Sequence, residues 1–223
     1  MKQHVKIITS ALVLSASFFS HAADKLTPTD VADLYIKTIV NHDEKAINKL
    51  NDYLREDRLR MRIKSDYADL NKLKEADNAF PNELAEIMAK SVFPDSVGEK
   101  VKPSLVELMT VVQKARRSSQ CKALSAGQAK KDSDGVLTTQ VRFSCMLVVP
   151  NEVWANGVHR IAKSNCNTDQ CIREINKLKR SYQSSPNFKY EGVFAISMAT
   201  EDKDTAWRND FARQTFDAMF ENY

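Results

Sequence analysis

The sequence predicts an α+β protein, with a helical N-terminal half packed against a largely antiparallel sheet and a C-terminal helix. Three observations predict it. Apolar residues recur at helical spacing through much of 27–118, apolar and polar residues alternate over 141–149 and 188–198, and a helical aromatic stripe ends the chain. Helices grouped before strands, rather than alternating with them, point to α+β instead of a parallel βαβ arrangement.

The first helix is announced by its cap. Thr27-Pro28-Thr29-Asp30 offers a threonine N-cap, proline at the first helical position and a carboxylate in the electropositive first turn. Val31, Leu34, Tyr35, Thr38, His42 and Ala46 continue the spacing, so the helix is expected to reach about Leu50. A second helix is expected over 52–78, striped by Leu59, Ile63, Tyr67, Leu70 and Leu73. Its Arg55, Arg58 and Arg62 share a face, but the interspersed acids read as intrahelical ion pairs. Pro81 is expected to start a short helix to Ala89, and 93–98 to form a loop. Ser104 and Glu107 then form a capping box for a helix ending near Ser118.

The period changes beyond that point. Val141, Phe143, Cys145, Leu147 and Val149 face one way along a strand, and 120–126 is a weaker strand upstream. The hydrophilic segment 130–135 between them reads as a turn. A hairpin centred on Ser133 places Cys121 opposite Cys145. Asn156-Gly157 is a two-residue turn signal, expected to join 152–155 to 158–162 as a second hairpin anchored by Trp154. Asn167 or Thr168 caps a helix striped by Ile172, Ile175, Leu178 and Tyr182. Phe188, Tyr190, Gly192, Phe194, Ile196 and Met198 mark a strong strand. The last helix is expected over 204–221, with Trp207, Phe211, Phe216, Met219 and Phe220 turned to the sheet.

The first 22 residues read as a secretory signal peptide. Lys2 and Lys6 flank a basic start, 7–19 is apolar but too short to span a bilayer, and Ser20-His21-Ala22 ends on small residues. The expected organisation is therefore a leader at 1–22 and one soluble domain at 23–223, with a helical part at 27–118 and a mixed part at 119–223. A periplasmic location follows as an expectation, without a transmembrane segment after leader removal. Of the 33 basic residues, Lys2 and Lys6 belong to the leader, leaving 31 against 29 acidic ones. That near-balance argues against a nucleic-acid partner.

Four cysteines, an even number in an exported chain, predict two disulfides. The hairpin register favours Cys121 with Cys145, which leaves Cys166 with Cys171. The second pair is expected to pin the following helix to the preceding strand. The Cys166-x₄-Cys171 spacing is neither a thiol-oxidoreductase motif nor a paired zinc motif. No histidine pair has metal-ligand spacing, the five glycines form no phosphate-cradling loop, and no nucleophile elbow selects a serine. His42 reads as a hydrogen-bonded residue at the core edge. No catalytic residue, metal or cofactor is assigned.

These readings lead to a non-enzymatic periplasmic binding protein. Its most concrete form is an inhibitor or immunity protein that blocks an envelope-acting toxin or lytic enzyme, with Trp154, His159 and Arg160 as partner-binding residues on loops of a rigid sheet. One alternative is an envelope enzyme or small-ligand module. That alternative requires a deep apolar cavity with convergent polar groups between the sheet and the long helices, with His159 or Tyr190 as candidate contributors. A structural envelope factor is the other.

Overall fold

The computed structural model describes residues 26–200 and 205–221, so the expected leader lies outside the described residues. The N-terminal cap forms as its residues dictate. Thr27 accepts from the Asp30 amide at 3.2 Å, and the Asp30 carboxylate accepts from the Thr27 amide at 3.0 Å. This starts α1 (Pro28–Ile36), which does not run to Leu50. It widens into a π-turn (Lys37–Asn41) and stops at His42, whose φ of 51° is left-handed. Asp43 then caps α2 (Glu44–Arg60) by accepting from the Ala46 amide at 2.8 Å. A carboxylate able to start a new helix here interrupts a pattern that reads as continuous.

The helix expected over 52–78 is two helices. Arg62 has a φ of 60°, and α3 (Leu70–Val92) begins only after Asp69, which accepts from the Asn71 and Lys72 amides. Asn51 on α2 fixes the intervening loop, donating to the Ala68 carbonyl at 2.8 Å and accepting from its amide at 3.0 Å. Pro81 does not start a helix but lies inside α3. Likewise α4 (Asp95–Arg117) runs through Pro103, so Ser104 is not an N-cap and the expected 93–98 loop shrinks to Phe93 and Pro94. Gly98 permits this tight hairpin of helices: a Cβ there would sit 2.4 Å from the Ala89 carbonyl oxygen.

The sheet follows the alternation. Strands β1 (Gln120–Ala126), β2 (Lys130–Lys131) and β3 (Val136–Leu147) are antiparallel, and Cys121 pairs with Cys145 in register. The β4 strand (Phe188–Ala199) lies antiparallel on the other side of β3, with Val141 opposite Phe194 and Phe143 opposite Gly192. Disulfides join Cys121 to Cys145 and Cys166 to Cys171.

The expected second hairpin is absent. Residues on either side of Asn156-Gly157 form one helix, α5 (Trp154–Lys163). Gly157 serves helix packing rather than a turn, since a Cβ there would lie 2.6 Å from Leu178 Cδ2 on the next helix. Val158 and Ile161 are buried one helical turn and two beyond Trp154, a spacing that outweighs the local turn signal. Next, α6 (Thr168–Ser181) starts at an Asn167–Gln170 capping box. The Cys166–Cys171 disulfide therefore ties α6 to the end of a helix, not to a strand.

The last helix, α7 (Ala212–Glu221), is shorter than expected. Ahead of it, Arg208 is extended and exchanges two backbone hydrogen bonds with Ser197, at 2.8 and 2.9 Å. Trp207, Phe216 and Met219 are buried as expected, whereas Phe211 is 67% exposed.

Two apolar cores result. One joins the inner sheet face to α1, α2 and α7; the other gathers α3, α4, α5 and α6. Among the described residues, no helix is long and apolar enough to cross a membrane.

Candidate functional site

A cleft of about 1020 Å³ opens where the two cores meet. Its walls come from the π-turn, α3, α4, the end of β3, the start of α5 and α7. Leu73, Phe80, Leu84, Val112, Trp154 and Phe220 give it an extensive apolar lining. That size and lining suit a drug-sized or larger apolar body with a few polar anchors.

The polar end is organised by a consequence of Pro81. A proline has no amide hydrogen, so the carbonyl four residues back in α3, that of Asp77, loses its helical partner. Gln113 on α4 donates to that carbonyl at 2.9 Å. The same Gln113 amide reaches the Asp77 carboxylate at 3.1 Å. Arg117 donates to this carboxylate at 2.7 Å, and His42 Nδ1 meets its other oxygen at 2.7 Å. Arg117 also donates to the Ile39 and Val40 carbonyls, at 3.2 and 3.0 Å. These carbonyls close the π-turn, and a cation is favoured at such a helix end. Asn41 completes the tie by donating to the Arg117 and Ser119 carbonyls.

Arg116, the neighbour of Arg117 on α4, turns to α7. It donates to Asp217 at 2.8 Å and lies 4.4 Å over the Phe220 ring. Among the described residues, three buried side-chain polar atoms lack a hydrogen-bond partner: Thr38 Oγ1, Arg116 Nε and Arg117 Nε. All three belong to side chains lining the cleft. Leaving such groups unpaired is costly, so the packing around the polar end is less complete than elsewhere in the interior.

Burial lowers the His42 pKa, helped by the Arg117 charge and opposed by the bond to Asp77. Burial alone would raise the Asp77 carboxyl, but the Arg117 and His42 hydrogen bonds hold it below its ordinary value. Both shifts act in one direction. The unfolded chain binds the His42 proton more readily, so stability is lost as pH falls below about 6.5; the Asp77 contribution is lost below about 3.8. We expect the melting temperature to drop between pH 7 and pH 5, and His42→Asn, which tolerates the left-handed backbone, to flatten that drop. Parallel pH profiles for the two proteins would refute the assignment.

His42 and Asp77 form a histidine–carboxylate pair at the polar end of the cleft. The bond to Asp77 is the one hydrogen bond of the His42 side chain among the described residues, its amide donating to the Lys37 carbonyl, and all four cysteines are in disulfides. No group of three potential metal ligands occurs among the described residues. The arrangement can grip and orient a ligand.

The residues singled out from sequence separate. Trp154 lines the cleft, and its amide donates to the Tyr182 hydroxyl at 2.8 Å. His159 and Arg160 lie on α5 outside the lining, where His159 is exposed and Arg160 is paired with Glu152 at 2.7 Å. Tyr190 packs against Phe143, 5.8 Å between ring centres, and does not line the cleft either. Sequence reasoning missed Asp77, Gln113, Arg116 and Arg117. One signal was available: a proline inside a helix frees a carbonyl, and something must satisfy it. Compared with known proteins, the chain matches no family model, no curated protein and no solved structure.

Proposed function

We propose that this chain is an exported binding protein that holds a small amphipathic molecule in the cleft between its two cores. One observation carries the reading: a cleft of about 1020 Å³, lined by Leu73, Phe80, Leu84, Val112, Trp154 and Phe220 and ended by polar side chains, opens between the two cores. A protein built only to dock a macromolecule has no need of that interior, and packed cores do not ordinarily leave such space.

The test is a fluorescence titration of the oxidised protein with N-phenylnaphthylamine, a neutral apolar dye. Saturable enhancement is expected, with quenching of Trp154 that disappears in Trp154→Phe. Ala76 also lines the cleft, and Ala76→Trp should fill it and weaken dye binding at least tenfold, about 1.4 kcal/mol. Absence of saturable binding, or binding indifferent to Ala76→Trp, would defeat the reading.

A further inference from the structure

Resting on the cleft-binding reading, we infer that the ligand is an apolar molecule bearing a hydroxyl, which donates its hydrogen bond to Nε2 of His42. The tautomer of His42 follows from its partner. The Asp77 carboxylate already accepts from Arg117 at 2.7 Å and from Gln113 at 3.1 Å, and the guanidinium keeps it ionised. An ionised carboxylate has no proton to give, so the 2.7 Å bond to His42 is made by an Nδ1–H. In a neutral imidazole with its proton on Nδ1, Nε2 carries a lone pair and can only accept.

That lone pair is open. The Nδ1 bond is the one hydrogen bond of the His42 side chain among the described residues, and Nε2 is not one of the three buried atoms left without a partner. It is therefore reached by solvent. The ring is only 13% exposed and lines the cleft, so its accessible edge lies there. Backbone and partner together hold it in place. His42 ends the π-turn in a left-handed conformation, with its amide on the Lys37 carbonyl, and Asp77 grips the ring from α3.

The surroundings decide what can meet that nitrogen. Leu73, Asp77, Phe80 and Leu84 recur at helical spacing along α3, so a single polar side chain interrupts an apolar stripe, and it is already engaged. Val112 on α4 and Trp154 at the start of α5 extend the apolar wall. A hydroxyl on an apolar skeleton satisfies both: the skeleton lies along the wall and the O–H points at Nε2. An ether or ketone would set its oxygen lone pairs against that of Nε2, and a carboxylate would add charge to the same repulsion.

The experiment compares 4-butylphenol with 4-butylanisole, in which a methyl group replaces the donated proton, as displacers of N-phenylnaphthylamine from the oxidised protein at pH 8. The imidazole is neutral there, since burial lowers a pKa that is ordinarily 6.5. The phenol is expected to compete at concentrations about fivefold lower than the anisole. His42→Asn tolerates the left-handed backbone and keeps a donor for Asp77, but has no atom at the Nε2 position. It should bring the two compounds to within about twofold of each other. A ratio unchanged in the variant would trace to the bulk of the methyl group and overturn the inference. Equal competition in the unaltered protein, or a preference for 4-butylbenzoate, would overturn it too. A second readout does not depend on the variant folding. Long-range proton–nitrogen spectra of the isotope-labelled protein should show His42 protonated on Nδ1, and its Nε2 resonance displaced by the phenol but not by the anisole. His159, exposed and outside the lining, should not respond. The opposite tautomer, or an Nε2 resonance that answers both compounds alike, would overturn the assignment. Dye binding without a phenol preference would remove this inference alone, whereas failure of the dye and both compounds to bind would remove the cleft reading with it.

Discussion

Phe216→Ala is expected to destabilise the protein by about 4 kcal/mol, the loss typical of a large aromatic removed from a close-packed core. Phe216 is fully buried, with its ring centre 5.4 Å from Phe143 and 5.6 Å from Phe194. Those two residues sit on β3 and β4, so this side chain is where α7 locks onto the sheet. The consequence extends to the cleft, because α7 also carries Asp217 and Phe220, the partners of Arg116. Urea unfolding followed by circular dichroism should show a lower midpoint. Dye affinity should fall at denaturant concentrations where the variant is still folded. A loss below about 1 kcal/mol would mean that the helix is held elsewhere.

Removal of the Cys121–Cys145 disulfide by paired alanine substitution is expected to cost about 3.5 kcal/mol, against about 2 kcal/mol for the Cys166–Cys171 pair. The difference follows from loop length. The first bond closes a separation of 24 residues and the second one of only 5, so the first restricts the unfolded chain more. The first also fixes β1 just after α4 delivers Arg116 and Arg117, whereas the second trims a helix start. Equal losses, or the reverse order, would show that native contacts rather than chain entropy govern the two bonds. The comparison is read from denaturant midpoints of the two double variants.

The elements that were legible in the sequence are those whose cause is local. The Thr27 cap, the Asn167 cap and the alternation of β3 and β4 each depend on residues within a few positions. The Cys121–Cys145 pairing was legible because an antiparallel register converts sequence distance from a turn into spatial opposition. Local signals misled where packing reversed them. Asn156-Gly157 has the chemistry of a turn, yet Leu178 needs a residue without a side chain on the face of α5. Pro81 resembles a helix start, yet Gln113 accommodates it inside α3. The break between α2 and α3 is invisible to periodicity because the apolar spacing continues across it.

The sequence by itself determined the fold class, the strand register around the disulfide and the two principal helix caps, all consequences of short-range geometry and side-chain period. The tertiary structure alone decided the cleft. His42 and Asp77 are 35 residues apart, Arg117 and Asp77 are 40 apart, and Arg116 and Asp217 are 101 apart. No periodicity relates such positions, since their meeting depends on how two separately formed cores are set against each other, and on donors that those cores bury without acceptors.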